Sequence, residues 1–172
     1  MNANFIMRFK AFMLDYLLIF AYLVVLAIFN ILIFPSVQSL FSGSLVVAQV
    51  TGFLMVTLPV SLYFIISDSV IGRQSLGKRY MGIKVVNERY EAITILHAIC
   101  RTILKFLPWE LSHYLVYRLV YLGDAEVPLN YYIVGGIIYT LMFAYILTTL
   151  FTKRKKSLYD IVVRTQVIKA ES

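Results

Sequence analysis

The chain has little charge and a single cysteine. Of its 172 residues, 15% are charged and 60% are hydrophobic, whereas soluble domains are about 25% charged and 45 to 50% apolar. No Asp, Glu, Lys, Arg or His occurs between Tyr16 and Ser67. These figures and the mean hydropathy of +0.81 exclude a water-soluble globule and predict one integral membrane domain.

The lone Cys100 excludes an intrachain disulfide framework, and neither His97 nor His113 completes a metal-ligand spacing with it. The segment from Gly72 to Arg79 has the spacing of a phosphate-binding P-loop, but Arg79 replaces the Ser or Thr that would hold Mg²⁺. No catalytic constellation of side chains is evident. We therefore expect no enzyme activity, no cofactor or metal, and no nucleic-acid partner.

Turn-forming residues divide the apolar sequence into spans. Pro35 and the serines after it end the first span, which we place at residues 11–34. The second span, at residues 45–66, contains Pro59, which predicts a kink that neighbouring helices can tolerate. A further span, residues 131–151, follows Pro128 and ends before a basic run. Each span is long enough to cross the hydrocarbon as a helix.

Basic residues set the expected topology. They flank the first two spans at residues 8–10 and 73–89 and fill the tail, whereas residues 35–44 carry no charge. The positive-inside rule then requires one more crossing, at residues 103–122, with residues 123–130 outside. We predict an all-α helical bundle of about four transmembrane helices, with a cytosolic loop at residues 67–92, a cytosolic tail at residues 152–172 and both termini cytosolic. The expected location is the bacterial plasma (inner) membrane.

Residues 93–107 allow two interpretations. His97, Arg101 and Lys105 recur every four residues and form one stripe, and Pro108 predicts a break after them. One interpretation is an interfacial amphipathic helix whose basic side chains snorkel to lipid phosphates. The other turns Arg101 inward to pair with a buried carboxylate.

Arg8 and Asp15 are seven residues apart and lie on one helix face. A carboxylate inside the membrane is costly unless it is paired, hydrated or protonated. Asp15 is therefore either part of a structural ion pair, with Arg8 as a candidate partner, or a cation or proton site, or a partner-binding residue.

The ordered motifs resemble the RDD family of membrane proteins, named for one arginine and two aspartates. The similarity covers the opening residues 8–15, the loop Gln74–Val86, Arg101, and the tail residues 155–168. Tyr159 stands where the family commonly has His, and the loop after Val86 lacks a frequent Gly. Asp160 fits the second family aspartate, and Asp68, at the end of the second span, is its rival.

Two β-branched segments, residues 81–86 and 162–168, predict short strands that pair into a small cytosolic patch. Pairing would hold Asp160 beneath the helices, where it could meet Arg8 or Arg101. Gly77 and Gly82 would supply the turns and the close approach of the main chain that such a patch requires. Lys78, next to Gly77, is a supporting residue of the candidate site.

For function, the resemblance implies a family of largely undefined activity, with some members similar to sodium or potassium ion/proton antiporters. One expectation is therefore a transporter for a monovalent cation and protons, assembled as a homo-oligomer, with Arg8, Asp15 and Asp160 at the candidate site. The alternative is a non-catalytic scaffold or regulator that binds another membrane protein. Either protein would contact the lipid bilayer.

Overall fold

The computed structural model describes residues 1–170, so the last two residues of the predicted tail lie outside the described part of the chain. The first helix, α1, runs Phe5–Leu32 and begins at Asn4, whose side chain accepts a hydrogen bond of 2.9 Å from the Met7 amide. The 3₁₀ turn Pro35–Val37 and the short α2, Gln38–Ser42, follow it. Proline at the first turn position favours this stop.

The second predicted span is a hydrophobic helix with a π-helical turn near its middle. It consists of α3, Leu45–Gly52, a π-helical turn, Phe53–Thr57, and α4, Leu58–Asp68. Pro59 has no amide to bond to the Met55 carbonyl, and the hydroxyl of Tyr22 on α1 donates to that carbonyl instead, at 2.5 Å. A neighbouring helix thus compensates for the proline, as membrane interiors require.

The next long helix, α6, runs Ile95–Leu122 without interruption and is capped by Thr94. The expected break at Pro108 is therefore wrong. The physical reason lies on the neighbouring helix. Pro108 has no amide N–H to donate to the Leu104 carbonyl, and this carbonyl instead accepts a hydrogen bond of 2.5 Å from the Tyr145 hydroxyl. Residues 95–107 belong to the same helix as the predicted span at residues 103–122, so within the described chain they do not form a separate interfacial helix.

The last long helix, α7, runs Leu129–Phe151. Three segments of the described chain are long and apolar enough to cross a membrane: Phe5–Leu32, Leu45–Asp68 and Leu129–Phe151. They match three of the predicted spans. The ends differ by two residues or fewer, except that the first helix begins six residues earlier than predicted. The more polar α6 packs against α3, α4 and α7, and its role as a fourth crossing stays a prediction.

A small sheet patch packs against one end of the long helices. It comprises α5, Leu76–Tyr80, β1, Ile83–Asn87, α8, Leu158–Val162, and β2, Thr165–Lys169. The two strands pair antiparallel, with Val85 opposite Val167, which confirms the prediction of two short paired strands. Ile83, Val85 and Val167 share a buried core with Ala11 of α1 and Ala98 of α6. The sheet patch is thus fixed to two long helices.

Cysteine labelling tests the predicted topology. In a Cys100→Ser background, we expect Ser39→Cys and Ala125→Cys to react with a membrane-impermeant maleimide added outside intact cells, because their loops carry no basic residue. Lys153→Cys should react only after the cells are opened. All four replaced side chains are exposed or partly exposed. Labelling of Lys153→Cys from outside would contradict four crossings.

Candidate functional site: a buried charge network between the helices and the sheet patch

Asp160 is fully buried on the one-turn helix α8, which begins after Ser157. Its Oδ1 accepts hydrogen bonds of 3.0 Å from Arg101 Nε and 3.0 Å from the Thr165 hydroxyl. Its Oδ2 accepts from Arg8 Nη2. Three segments distant in sequence therefore meet at one carboxylate: the start of α1, the middle of the chain and the tail.

Arg101 connects the two aspartates that compete for the second family position. Its Nη1 donates to Asp68 Oδ2 at 2.8 Å while its Nε donates to Asp160. Lys78 Nζ completes the row with a hydrogen bond of 2.6 Å to Asp68 Oδ1. The planar guanidinium can serve two carboxylates at once, which a lysine ammonium does less well. Of the two interpretations of residues 93–107, the inward-facing Arg101 is the one observed.

Arg8 does not pair with Asp15 in this structure. Its guanidinium donates to Asp160 and to the carbonyl of Lys155. Seven residues of helix separate Arg8 and Asp15 by about 10 Å along the axis, so two side chains on one face do not meet. The candidate ion pair between them is therefore wrong, and each finds partners outside α1.

Asp15 is 1% exposed and is held by neutral donors. Its Oδ1 accepts from the Tyr63 hydroxyl at 2.9 Å and from the Gly77 amide at 2.8 Å, and its Oδ2 accepts from the Ser75 hydroxyl at 2.6 Å. Within residues 1–170, no Lys, Arg or His nitrogen lies within 4.0 Å of this carboxylate. Asp15 thus fastens α1 to α4 and to the start of α5 in the sheet patch through hydrogen bonds alone.

The predicted glycines have separate roles. A Cβ on Gly77 would lie 2.0 Å from the Ala11 carbonyl oxygen, so the absence of a side chain lets α5 touch α1. Gly82 has φ +60° in the turn into β1, a conformation that favours glycine. The structure thus gives a close approach at Gly77 and a turn at Gly82.

Tyr159, at the position where the family commonly has His, packs its ring 5.2 Å from Arg101 Cζ and 5.2 Å from the Tyr145 ring. The Tyr159 ring thus packs against the charge network, and its side chain lacks the imidazole that a histidine would supply at this position.

A second polar cluster, which is not among the predicted site residues, lies near the middle of α6. The Thr57 hydroxyl, in the π-helical turn, donates to Glu110 Oε2 at 2.8 Å, and His113 Nδ1 is 3.9 Å from the same oxygen. π-helical turns are frequent at functional sites. The signal available in the sequence was a carboxylate one turn from a histidine in the middle of a long hydrophobic helix.

A cavity of about 490 Å³ lies beside the charge network, between α1, α6 and α7. Asp15, Lys78 and Arg101 border it, together with Lys105 and many apolar side chains. No group of His, Cys, Asp or Glu side chains within the described residues is arranged to hold a metal ion.

Asp160 lies outside the membrane-spanning helices, and the pKa of its carboxyl is lowered. Burial alone would raise the pKa of its carboxyl, but the guanidiniums of Arg101 and Arg8 and the Thr165 hydroxyl hold that pKa below its usual range. The unfolded value is about 3.9. The folded state therefore binds fewer protons, and the stabilisation is complete above that value and is lost as the pH falls below it.

We therefore expect Asp160→Asn to lower the melting temperature in detergent at pH 7, and the difference from wild type to narrow as the pH falls below about 5. Scanning fluorimetry between pH 3 and pH 8 measures this difference. Asp124→Asn is the matched control because Asp124 is exposed, and it should follow the wild-type curve. A difference that is constant with pH would refute the assigned ion pairs.

Comparison with known proteins gives one result. The model of the RDD family matches residues 2–164, nearly the whole chain. No curated protein and no solved structure matches the chain. The matched range contains Arg8, Asp15, Arg101 and Asp160 together with the sheet patch up to the start of β2. With its apolar helices and this match, the chain belongs to the RDD family and is a membrane protein.

Proposed function

We propose that the protein is a non-catalytic membrane scaffold or regulator in which the three buried aspartates have a structural role. One observation carries this proposal: every carboxylate oxygen of Asp15, Asp68 and Asp160 accepts a hydrogen bond from the protein. A cation needs free oxygen ligands. Here those oxygens already bind arginine, lysine, hydroxyl or amide donors.

The first helix supplies the surface for a membrane-protein partner or a second copy of the chain. Its base is held by Arg8 and Asp15, whereas beyond Asp15 no residue of α1 is buried. Large apolar side chains such as Leu17, Phe20 and Val25 are more than half exposed. A helix that is held at one end and exposes large apolar side chains along the rest of its length can pack against another membrane helix. The proposed setting is the bacterial inner membrane, with both termini cytosolic.

Reconstitution tests the proposal directly. Purified protein in liposomes with an internal pH-sensitive dye receives Na⁺, K⁺ or Li⁺ gradients, and we expect no cation-dependent proton flux above that of empty liposomes. In parallel, a photo-crosslinking amino acid replaces Val25 in one variant and Val120 of α6 in another; both side chains are exposed. We expect one discrete protein adduct for the α1 position only. Flux, or equal crosslinking at both positions, would refute the scaffold role.

The second candidate is exchange of a monovalent cation for protons. Two observations favour it: Asp15 borders the cavity with no charged partner within 4.0 Å among residues 1–170, and Glu110 lies in mid-helix beside the π-helical turn. Buried carboxylates of this kind are candidate proton carriers. Under this candidate, Asp15→Asn should remain folded and abundant while it abolishes flux. Under the scaffold proposal, Asp15→Asn changes only stability.

A further inference from the structure

The cavity of about 490 Å³ has the size of a ligand pocket, since such pockets measure about 300 to 1,000 Å³. Most of its lining is aromatic or aliphatic, whereas its charged groups are concentrated on α6 and beside the sheet patch. An apolar cavity with charged side chains at one end can bind an amphiphilic molecule.

Part of the cavity lining is exposed on the outer surface of the helices. Phe9 and Phe12 of α1 and Met142 and Ile146 of α7 line the cavity, and each of them is about 40 to 50% exposed on the outside of the helices. These side chains belong to two of the helices that are long and apolar enough to cross a membrane. A ligand can therefore enter sideways from the bilayer.

Lys105 is a basic side chain of the cavity lining that forms no ion pair with any described residue. Within the described chain, no carboxylate oxygen lies within 4.0 Å of its Nζ, and Nζ donates no hydrogen bond. Nζ instead lies 3.4 Å from the centre of the Phe64 ring, and Lys78 Nζ lies 5.3 Å from the same ring centre. The ring attracts an ammonium but carries no negative charge.

The charge balance at the cavity is positive. Among the described residues of the network and the cavity lining there are four basic side chains, Arg8, Lys78, Arg101 and Lys105, against three carboxylates, Asp15, Asp68 and Asp160. The oxygens of these three carboxylates are already hydrogen-bonded. Unpaired charge near a membrane interior is unfavourable. An anion beside Lys105 would balance the charge.

Lys105 also lies at a suitable depth for a lipid head group. It is one helical turn, about 6 Å, beyond Arg101, and Arg101 contacts Asp160 in the sheet patch. Trp109, one turn further along α6, lines the same cavity. Along α6 the cavity thus changes from charged side chains to an aromatic one, as an amphiphilic ligand requires.

We propose that this cavity binds an anionic phospholipid, with the lipid phosphate at Lys105 and an acyl chain between α1 and α7. The site is distinct from the ion pairs that hold the sheet patch, because Lys105 takes part in none of them. The proposal goes beyond the scaffold role and does not depend on it, since the measurement below involves no flux and no protein partner.

Native mass spectrometry of the full chain in neutral detergent tests this site. Delipidated protein is titrated with phosphatidylglycerol, phosphatidylcholine or inorganic phosphate. Both head groups carry a phosphate, but phosphatidylcholine also brings a quaternary ammonium, which the basic side chains of the cavity repel. We therefore expect phosphatidylglycerol to bind about tenfold more tightly than phosphatidylcholine. Inorganic phosphate should not compete, because it lacks the acyl chain.

Variants separate the cavity from general surface charge. Lys105→Gln should lower the affinity for phosphatidylglycerol about tenfold, and Lys105→Arg should keep the preference. Lys153→Gln is the matched control because Lys153 is exposed in the tail; it should bind like wild type. Ile146→Trp, at the mouth, should weaken both lipids. Melting temperatures in phosphatidylcholine establish that each variant is folded.

Several results would overturn the proposal. A lipid preference that survives Lys105→Gln, or one that Lys153→Gln removes equally well, would mean that surface charge attracts the lipid. Displacement by inorganic phosphate would assign the site to a soluble anion. If Lys105→Gln does not fold, undiminished lipid binding by Ile146→Trp alone would refute the cavity as the site.

Discussion

Replacing Arg101 with glutamine should lower the free energy of unfolding in detergent by about 3 to 5 kcal/mol, the cost of removing one partner from a buried ion pair. Arg101 is 2% exposed and holds Asp68 and Asp160 at once. Without its guanidinium, each aspartate keeps only one cationic partner, Lys78 or Arg8. The variant therefore leaves buried negative charge incompletely compensated.

Two further arginine variants control for this effect. Arg101→Lys should fall between wild type and glutamine, because one ammonium cannot reproduce the fork that reaches both aspartates. Arg118→Gln is the matched control on the same helix: Arg118 binds the Gln49 side chain and the Tyr114 carbonyl, both neutral, so we expect a loss of about 1 kcal/mol. Equal losses for Arg101→Gln and Arg118→Gln in denaturant titrations would contradict the network.

Gly77→Ala should destabilise the protein by about 3 kcal/mol, the upper part of the usual range for overpacking. The new Cβ would lie 2.0 Å from the Ala11 carbonyl oxygen and 3.0 Å from Asp15 Cγ. The first obstacle is main chain of α1, which cannot rotate away as a side chain can. Relief requires α5 to move from α1, and that movement lengthens the hydrogen bond from the Gly77 amide to Asp15.

Gly136→Ala is the matched control for this substitution. Gly136 lies within α7, and a Cβ there meets no atom within 4 Å. Alanine is the better helix former, by about 1 kcal/mol at most, so this variant should be as stable as wild type or slightly more stable. Thermal unfolding measures both variants. A neutral Gly77→Ala would show that α1 and α5 do not touch.

Three of the apolar helices and the strand pairing were predictable because each rests on a local pattern. An uncharged run between Tyr16 and Ser67 requires hydrocarbon around it, and β-branched segments flanked by turns favour short strands. The continuity of α6 was not predictable in this way. It depends on Tyr145, which is distant in sequence and supplies the hydrogen bond that Pro108 cannot make.

The partners of the charged residues were only partly predictable. Sequence similarity singles out Arg8, Asp15 and Asp160, and the prediction that Asp160 could meet Arg8 or Arg101 named the right groups. A helix face, however, does not reveal what lies opposite it. Asp15 binds Ser75 and Gly77, a choice fixed by the tertiary path of the loop rather than by any spacing within α1.

The most direct test of the structural account is a double-mutant cycle between Arg8 and Asp160. Unfolding free energies are measured in detergent for Arg8→Gln, Asp160→Asn and the double variant. We predict a coupling of about 1 to 3 kcal/mol, as expected for residues in one buried network. The parallel cycle of Arg8→Gln with Asp15→Asn should be additive within about 0.5 kcal/mol. Coupling between Arg8 and Asp15, with additivity between Arg8 and Asp160, would contradict the account.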